Sequence, residues 1–123
     1  MTTQQYDRLV VTDLVDWIEK HIDDKLLIDD VSRQSGYSKW HIQRKFKAVT
    51  GKTIASYIRN RKLTRAALAL RKTDRRVLDI ALSCGFDNQQ TFTRMFRKRF
   101  GVAPGGYRLQ SSKAEYGLSL KRS

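Results

Sequence analysis

Residues 36–44 read GYSKWHIQR, and residues 85–94 read GFDNQQTFTR. The likeness extends on both sides of these two stretches, which indicates a duplicated structural unit. At a spacing of 49 residues, the matches are Asp30, Val31, Gly36 and Tyr37 with Asp79, Ile80, Gly85 and Phe86. At a spacing of 50 residues, they are Ile42, Arg44, Phe46, Lys47, Gly51 and Tyr57 with Phe92, Arg94, Phe96, Arg97, Gly101 and Tyr107.

Each copy predicts a helix-turn-helix unit: a short helix, a glycine and aromatic turn, and a longer basic helix. A chain that leaves one helix for another at a steep angle needs a residue in the left-handed region, which glycine adopts without strain. The aromatic residue that follows can pack in the angle between the helices.

The rest of the chain predicts an all-α fold of about seven helices. The 123 residues include one proline and seven glycines, and apolar residues recur at helical spacing. Ser38, Thr53 and Asp87 are the expected N-caps of the third, fourth and sixth helices. The predicted helices cover residues 10–22, 28–35, 39–50, 54–72, 77–84, 88–100 and 104–109.

Four segments follow from this arrangement. They are an N-terminal helix-turn-helix subdomain (1–52), a linker helix (53–73), a C-terminal helix-turn-helix subdomain (74–110) and a flexible tail (111–123).

Charge points to a polyanionic partner. The net charge is +13, but residues 1–31 carry −5 and residues 32–123 carry +18. A basic body behind an acidic lead helix is typical of nucleic-acid binding, although an anionic membrane surface attracts the same charge. No apolar run reaches the 18 residues of a membrane span, so we expect no membrane association. The N-terminus lacks an apolar signal core, and the single cysteine excludes an internal disulfide, so we expect a cytoplasmic protein.

The two motifs quoted above resemble those of AraC/XylS-type transcription regulators, and most closely the small MarA/SoxS/Rob-like subgroup. The resemblance covers residues 9–109. It implies two subdomains bridged by a long helix, and a monomer that binds double-stranded DNA with one recognition helix in each of two adjacent major grooves. It also implies recruitment of RNA polymerase and a role in stress or multidrug responses.

Geometry is compatible with that implication. A helix of about 19 residues is roughly 28 Å long, and successive major grooves on one DNA face lie about 34 Å apart. The two motifs differ in sequence, so the site should be asymmetric, and a rigid pair would favour bent DNA.

The predicted base readers share one face of each longer basic helix. On the third helix, the apolar Ile42 and Phe46 point elsewhere, into the core. Arginine can bind a guanine edge with two hydrogen bonds, and glutamine can bind adenine. Arg44 and Arg94, at equivalent positions, are the best pair. The base-reading set is Trp40, Gln43, Arg44, Gln89, Gln90, Thr93 and Arg94, of which the resemblance supports Trp40 and the four residues of the sixth helix.

A second set is expected to contact phosphates, which gives affinity and register but little sequence choice. It comprises Ser38, Lys39, His41, Lys47, Arg59, Arg61, Lys62, Arg97 and Lys98.

Other chemistry finds no support. His21 and His41 are far apart and have no cysteine partners, so we expect no metal site and no cofactor. Cys84 reads as a small buried hydrophobe. The sequence shows no nucleophile paired with a general base and no phosphate-binding loop, so the chain is not expected to be an enzyme.

Two alternatives stay open. A non-specific architectural DNA-binding protein would share the charge but would not need matched reading faces. The chain could also be the DNA-binding fragment of a larger ligand-sensing regulator. If it is not such a fragment, its activity would follow the abundance of the protein.

Overall fold

The computed structural model describes residues 2–112, and within that range the chain forms seven helices and no strand. The all-α prediction is confirmed. The helices are α1 (Thr3–Lys20), α2 (Ile28–Ser35), α3 (Lys39–Thr50), α4 (Ile54–Lys72), α5 (Val77–Ser83), α6 (Gln89–Phe100) and α7 (residues 104–112).

The chain divides into two compact units between Arg61 and Lys62, inside α4. The first half of α4 supplies Ile54 and Ile58 to the first core, and the second half supplies residues to the second core. The sequence pattern predicts α4 as a linker apart from the two motifs, whereas in the structure α4 contributes to the core of each unit.

The first unit buries one apolar cluster between α1, α2, α3 and the start of α4. Every helix contributes apolar residues at helical spacing, as amphipathic helices around one core do. The buried members are Val11, Leu14, Ile18, Ile22, Val31, Ile42, Phe46, Ile54 and Ile58.

The second unit repeats this plan with larger aromatic residues. Its buried members are Leu63, Ala66, Ala67, Leu70, Ile80, Ala81, Cys84, Phe92 and Phe96. The small side chains of the alanines leave room for the two large phenylalanine rings, so that the core can pack without voids or overlap. Cys84 lies in this core, 6% exposed, as the sequence analysis expects.

Equivalent residues of the duplication occupy equivalent places. Phe46 and Phe96 are both fully buried. Each meets a tyrosine edge to face: the ring centroids of Phe46 and Tyr57 lie 5.6 Å apart, and those of Phe96 and Tyr107 lie 5.3 Å apart. Such pairs add stability beyond the area that they bury. The sequence repeat is therefore a repeat of packing.

The turn glycines adopt the conformation that the motif requires. Gly36 and Gly85 have φ values of +78° and +89°, in the left-handed region that side chains disfavour. Among the residues that the structure describes, every one with positive φ is a glycine.

Two predicted helix starts are wrong. α1 begins at Thr3 rather than at residue 10, because Thr2 and Gln5 form a capping box that starts the helix before its apolar stripe. α6 is capped by Asn88, whose Oδ1 accepts a 2.8 Å hydrogen bond from the Thr91 N–H, and not by Asp87. Counted from the turn glycine to the cap, the turn before α6 is one residue longer than the turn before α3, and Asp87 is the extra residue.

Three predicted helix ends also shift. α1 ends at Lys20 rather than at residue 22, and α5 ends at Ser83 rather than at residue 84. α7 continues through residue 112 despite Gly105 and Gly106. Residues 111–112 of the predicted flexible tail are therefore helical, and residues 113–123 lie outside the described range.

Candidate nucleic-acid interface

The helix α3 separates a buried stripe from an exposed polar and basic face. Ile42 and Phe46 are fully buried, while Trp40 is 59% exposed. The remaining predicted readers of this helix, Gln43 and Arg44, are exposed too, and so is Lys47. The side chains can therefore enter a groove without disturbing the core.

Several side chains on the exposed face of α3 contact one another. The guanidinium carbon of Arg44 lies 4.4 Å from the centroid of the Trp40 ring. The His41 ring meets Trp40 edge to face at 5.0 Å. Ser38 Oγ accepts the N-cap hydrogen bond from the His41 N–H at 3.2 Å and lies 2.9 Å from His41 Nδ1.

The helix α6 has the same division. Phe92 and Phe96 are fully buried. The opposite side carries Thr93, which is half-buried, and five exposed side chains; together they line one open depression. The set comprises Gln89, Gln90, Thr93, Arg94, Arg97 and Lys98.

A brace from the N-terminal turns of α1 holds α3. Lys45 Nζ donates a 2.8 Å hydrogen bond to Asp7 Oδ1 and lies 5.1 Å from the centroid of the Tyr37 ring. The hydrogen bond to Asp7 raises the pKa of Lys45, and a hydrogen bond with Tyr6 raises the pKa of Tyr37. This contact was not predicted from the sequence, because the predicted α1 begins after Asp7.

A second tether joins α1 to α4. Arg61 donates to both carboxylate oxygens of Glu19, at 2.7 and 3.2 Å, and the Tyr57 hydroxyl donates to Glu19 Oε1 at 2.7 Å. Burial, and then the hydrogen bond to Glu19, raise the pKa of Tyr57 to about 12. Arg61, predicted as a phosphate contact, has its guanidinium engaged within the protein.

Lys62 corrects the predicted phosphate set. It is 8% exposed, because its position on α4 faces inward at the start of the second unit, so it is withdrawn from that set. Lys39 stays exposed and pairs with Asp29, and Arg59 is exposed on α4.

Arg108 is a structural residue that the sequence analysis does not single out. Its guanidinium donates to the backbone oxygens of Leu70, Thr73 and Arg75 at 2.9, 3.2 and 2.6 Å. It thereby satisfies carbonyl groups at and beyond the end of α4, which a helix leaves without internal partners. No local sequence pattern predicts this contact.

Other kinds of site are not evident. Within residues 2–112, no three histidine, cysteine or acidic side chains cluster to hold a metal ion. None of the helices in that range is long and apolar enough to cross a membrane.

Comparison with known proteins identifies this architecture. A family described as a helix-turn-helix domain matches residues 31–110. The regulatory protein SoxS of Escherichia coli K12 is 50% identical over 99 residues, which cover 80% of this chain and 92% of SoxS. The chain belongs to the AraC-type helix-turn-helix family. Members of this family are DNA-binding transcription regulators and not enzymes.

Further AraC-type relatives agree with the assignment. The transcriptional regulator Rob of Salmonella typhimurium LT2 is 50% identical over 109 residues, 89% of this chain. The chain spans only 38% of the length of Rob. A crystal structure of an AraC-type regulator from Chromobacterium violaceum superposes with a TM-score of 0.78 at 29% identity, covering 85% of this chain and 93% of that one.

Proposed function

We propose that this protein is a sequence-specific transcription activator that binds DNA as a monomer. One recognition helix, α3 or α6, enters each of two adjacent major grooves of an asymmetric site. The observation that carries the proposal is the twofold occurrence of one design: a fully buried apolar stripe opposite an exposed face with glutamine or threonine and arginine at equivalent positions. Non-specific binding would need the charge but not this matched pattern.

Base reading falls to the exposed faces. Arg44 and Arg94 are the proposed guanine readers, because a guanidinium edge matches the two acceptors of guanine in the major groove. The other proposed readers are Trp40, Gln43, Gln89, Gln90 and Thr93.

Phosphate contacts are proposed for the exposed basic residues Lys47, Arg59, Arg97 and Lys98. The N-termini of α3 and α6 also present backbone N–H groups beside their caps, which suits anion binding. Ser38 and His41 lie at the first of these ends, and Lys39 would have to exchange Asp29 for a phosphate.

Recruitment of RNA polymerase and a role in stress or multidrug responses are proposed from the family resemblance. The acidic α1 offers a surface of opposite charge to the rest of the chain. We place the protein in the cytoplasm, on the nucleoid. The alternative that the chain is part of a longer ligand-sensing regulator stays open, since it spans only 38% of the length of Rob.

Selection of bound sequences from a random DNA pool tests the proposal. The expected product is one asymmetric site of about 20 base pairs, spanning two helical turns. Light scattering of the complex should give one protein chain per site. Equal affinity for the selected site and for scrambled competitor at physiological salt would favour the architectural alternative instead.

Arg44→Ala gives the residue-level test. It should cost about 1–3 kcal/mol of discrimination at about one base pair of the selected site. The matched control is Arg8→Ala, which removes an exposed arginine from α1 and should leave discrimination unchanged. If Arg44→Ala weakened binding to all sequences equally, Arg44 would be a phosphate contact.

A further inference from the structure

Trp40 and Arg44 form a stacked pair on the surface of α3. They stand one helical turn apart, at i and i+4, where side chains on a helix meet. The 4.4 Å between the guanidinium carbon and the ring centroid is well within cation–π range, and tryptophan is the best ring for such a contact.

The Trp40 ring has a second contact, with His41. His41 packs its ring against Trp40, and His41 is fixed in turn at the N-cap through Ser38 Oγ. A continuous series of contacts therefore runs from the cap of α3 to the arginine that is proposed to read a base. This series lies on an exposed surface, where an arginine would otherwise sample many rotamers.

Stacking leaves the reading edge of Arg44 available. A guanidinium that stacks parallel to a ring uses its flat face, while hydrogen bonds to guanine use the N–H groups at its edge. The two interactions can coexist, so the stack can orient Arg44 before DNA arrives.

The second unit lacks this device. Gln90 occupies the position equivalent to Trp40, and Thr91 the position equivalent to His41. Arg94 therefore has no aromatic face one turn before it on its own helix.

We propose that Trp40, besides being a proposed reader itself, is a positioning residue for Arg44 and orients its guanidinium for base reading before DNA binds. This inference rests on the proposed function.

The first test uses the protein without DNA. In NMR spectra, ring current from Trp40 should shift the Arg44 side-chain protons upfield. Trp40→Leu should return them to their ordinary position, and Trp40→Phe should retain a smaller shift. The Arg94 side-chain protons are the internal reference and should not move. An unshifted Arg44 in the wild-type protein would overturn the inference.

The second test is a double-mutant cycle on the selected site. Trp40→Leu should reduce discrimination at the base pair that Arg44 reads by about 2- to 5-fold. In an Arg44→Ala background, Trp40→Leu should have no further effect at that base pair. Trp40→Phe should rescue part of the loss, and circular dichroism checks that each variant is folded.

The outcomes separate the two claims. Specific wild-type binding with strictly additive effects of the two substitutions would overturn this inference alone. Equal wild-type binding to all sequences would overturn the proposed function as well, while the NMR shift would still report on the stack itself.

Discussion

Arginines at the residue scale differ by what their guanidinium groups touch. Arg61 pairs with Glu19, Arg108 binds backbone oxygens at the end of α4, and Arg44 lies over Trp40. The first two contribute to the fold, because Nε and one Nη of each guanidinium already donate hydrogen bonds within the chain. Arg44 keeps its edge donors available for a partner. The role of an arginine here therefore depends on its neighbours and not on its charge.

Tyr57 makes the tether between α1 and α4 sensitive to alkaline pH. Its pKa rises from 10.0 to about 12 in the folded protein, so the unfolded chain loses this proton first. The stabilisation is complete below pH 10 and is lost as pH rises toward 12. The full rise corresponds to about 2.7 kcal/mol, and solvent screening at this partly exposed site reduces the expected loss to about 1 kcal/mol.

Denaturant unfolding at pH 9 and pH 11 measures this loss. The wild-type protein should be more stable than Tyr57→Phe at pH 9, and the difference should narrow at pH 11. Other tyrosines titrate equally in both proteins and cancel. A difference that stayed constant between the two pH values would contradict the assignment.

At the scale of the secondary-structure element, the residue at which a helix starts determines which side chains share its faces. α3 and α6 begin at Ser38 and Asn88, fifty residues apart, and both caps accept a hydrogen bond from the third residue of the helix. The extra residue of the longer turn, Asp87, precedes the cap. Because the caps are equivalent, the helical faces that follow present equivalent positions to a partner.

Asn88→Ala should destabilise the second unit by about 1 kcal/mol, because the Thr91 N–H loses its acceptor. Asn88→Asp is the matched control. Its free energy of unfolding should stay within about a few tenths of a kcal/mol of the wild-type value, since a carboxylate also caps a helix. Hydrogen exchange at the first amides of α6 measures both. Slow exchange of the Thr91 amide in Asn88→Ala would contradict the role of the cap.

Charge distribution belongs to the scale of the whole molecule. The strongly basic residues 32–123 contain α3 and α6, the proposed recognition helices, and the acidic residues 1–31 contain α1. Part of the acidic charge is used inside the first unit, where Asp7 and Glu19 hold Lys45 and Arg61. Under the proposed function, the basic charge that is not paired within the chain acts on DNA through counterion release.

Salt dependence should report this contribution. About six phosphate contacts would give a slope near −5 in a plot of log affinity against log salt. Lys98→Ala should weaken binding to all sequences alike and make the slope shallower by about 0.9. Arg8→Ala should leave the slope unchanged. A Lys98→Ala variant that altered sequence choice instead would make Lys98 a base reader.

Prediction from sequence succeeds where the signal is local. The 3.6-residue spacing of apolar residues predicts the helices, and the duplication predicts that Ile42 and Phe92, or Phe46 and Phe96, face a core. The two wrong helix starts also had local signals. Thr2 and Gln5 form a capping-box pattern, and the 50-residue spacing from Ser38 leads to Asn88.

The sequence by itself therefore determined an all-α, duplicated chain with two polar helical faces, because periodicity, caps and turns act over a few residues. Only the tertiary structure decided which basic side chains stay available to a partner. Lys62 is buried, Arg61 is paired across 42 residues with Glu19, and Lys45 across 38 residues with Asp7. Such partners meet only when helices distant in sequence pack around a common core, and no local pattern encodes that meeting.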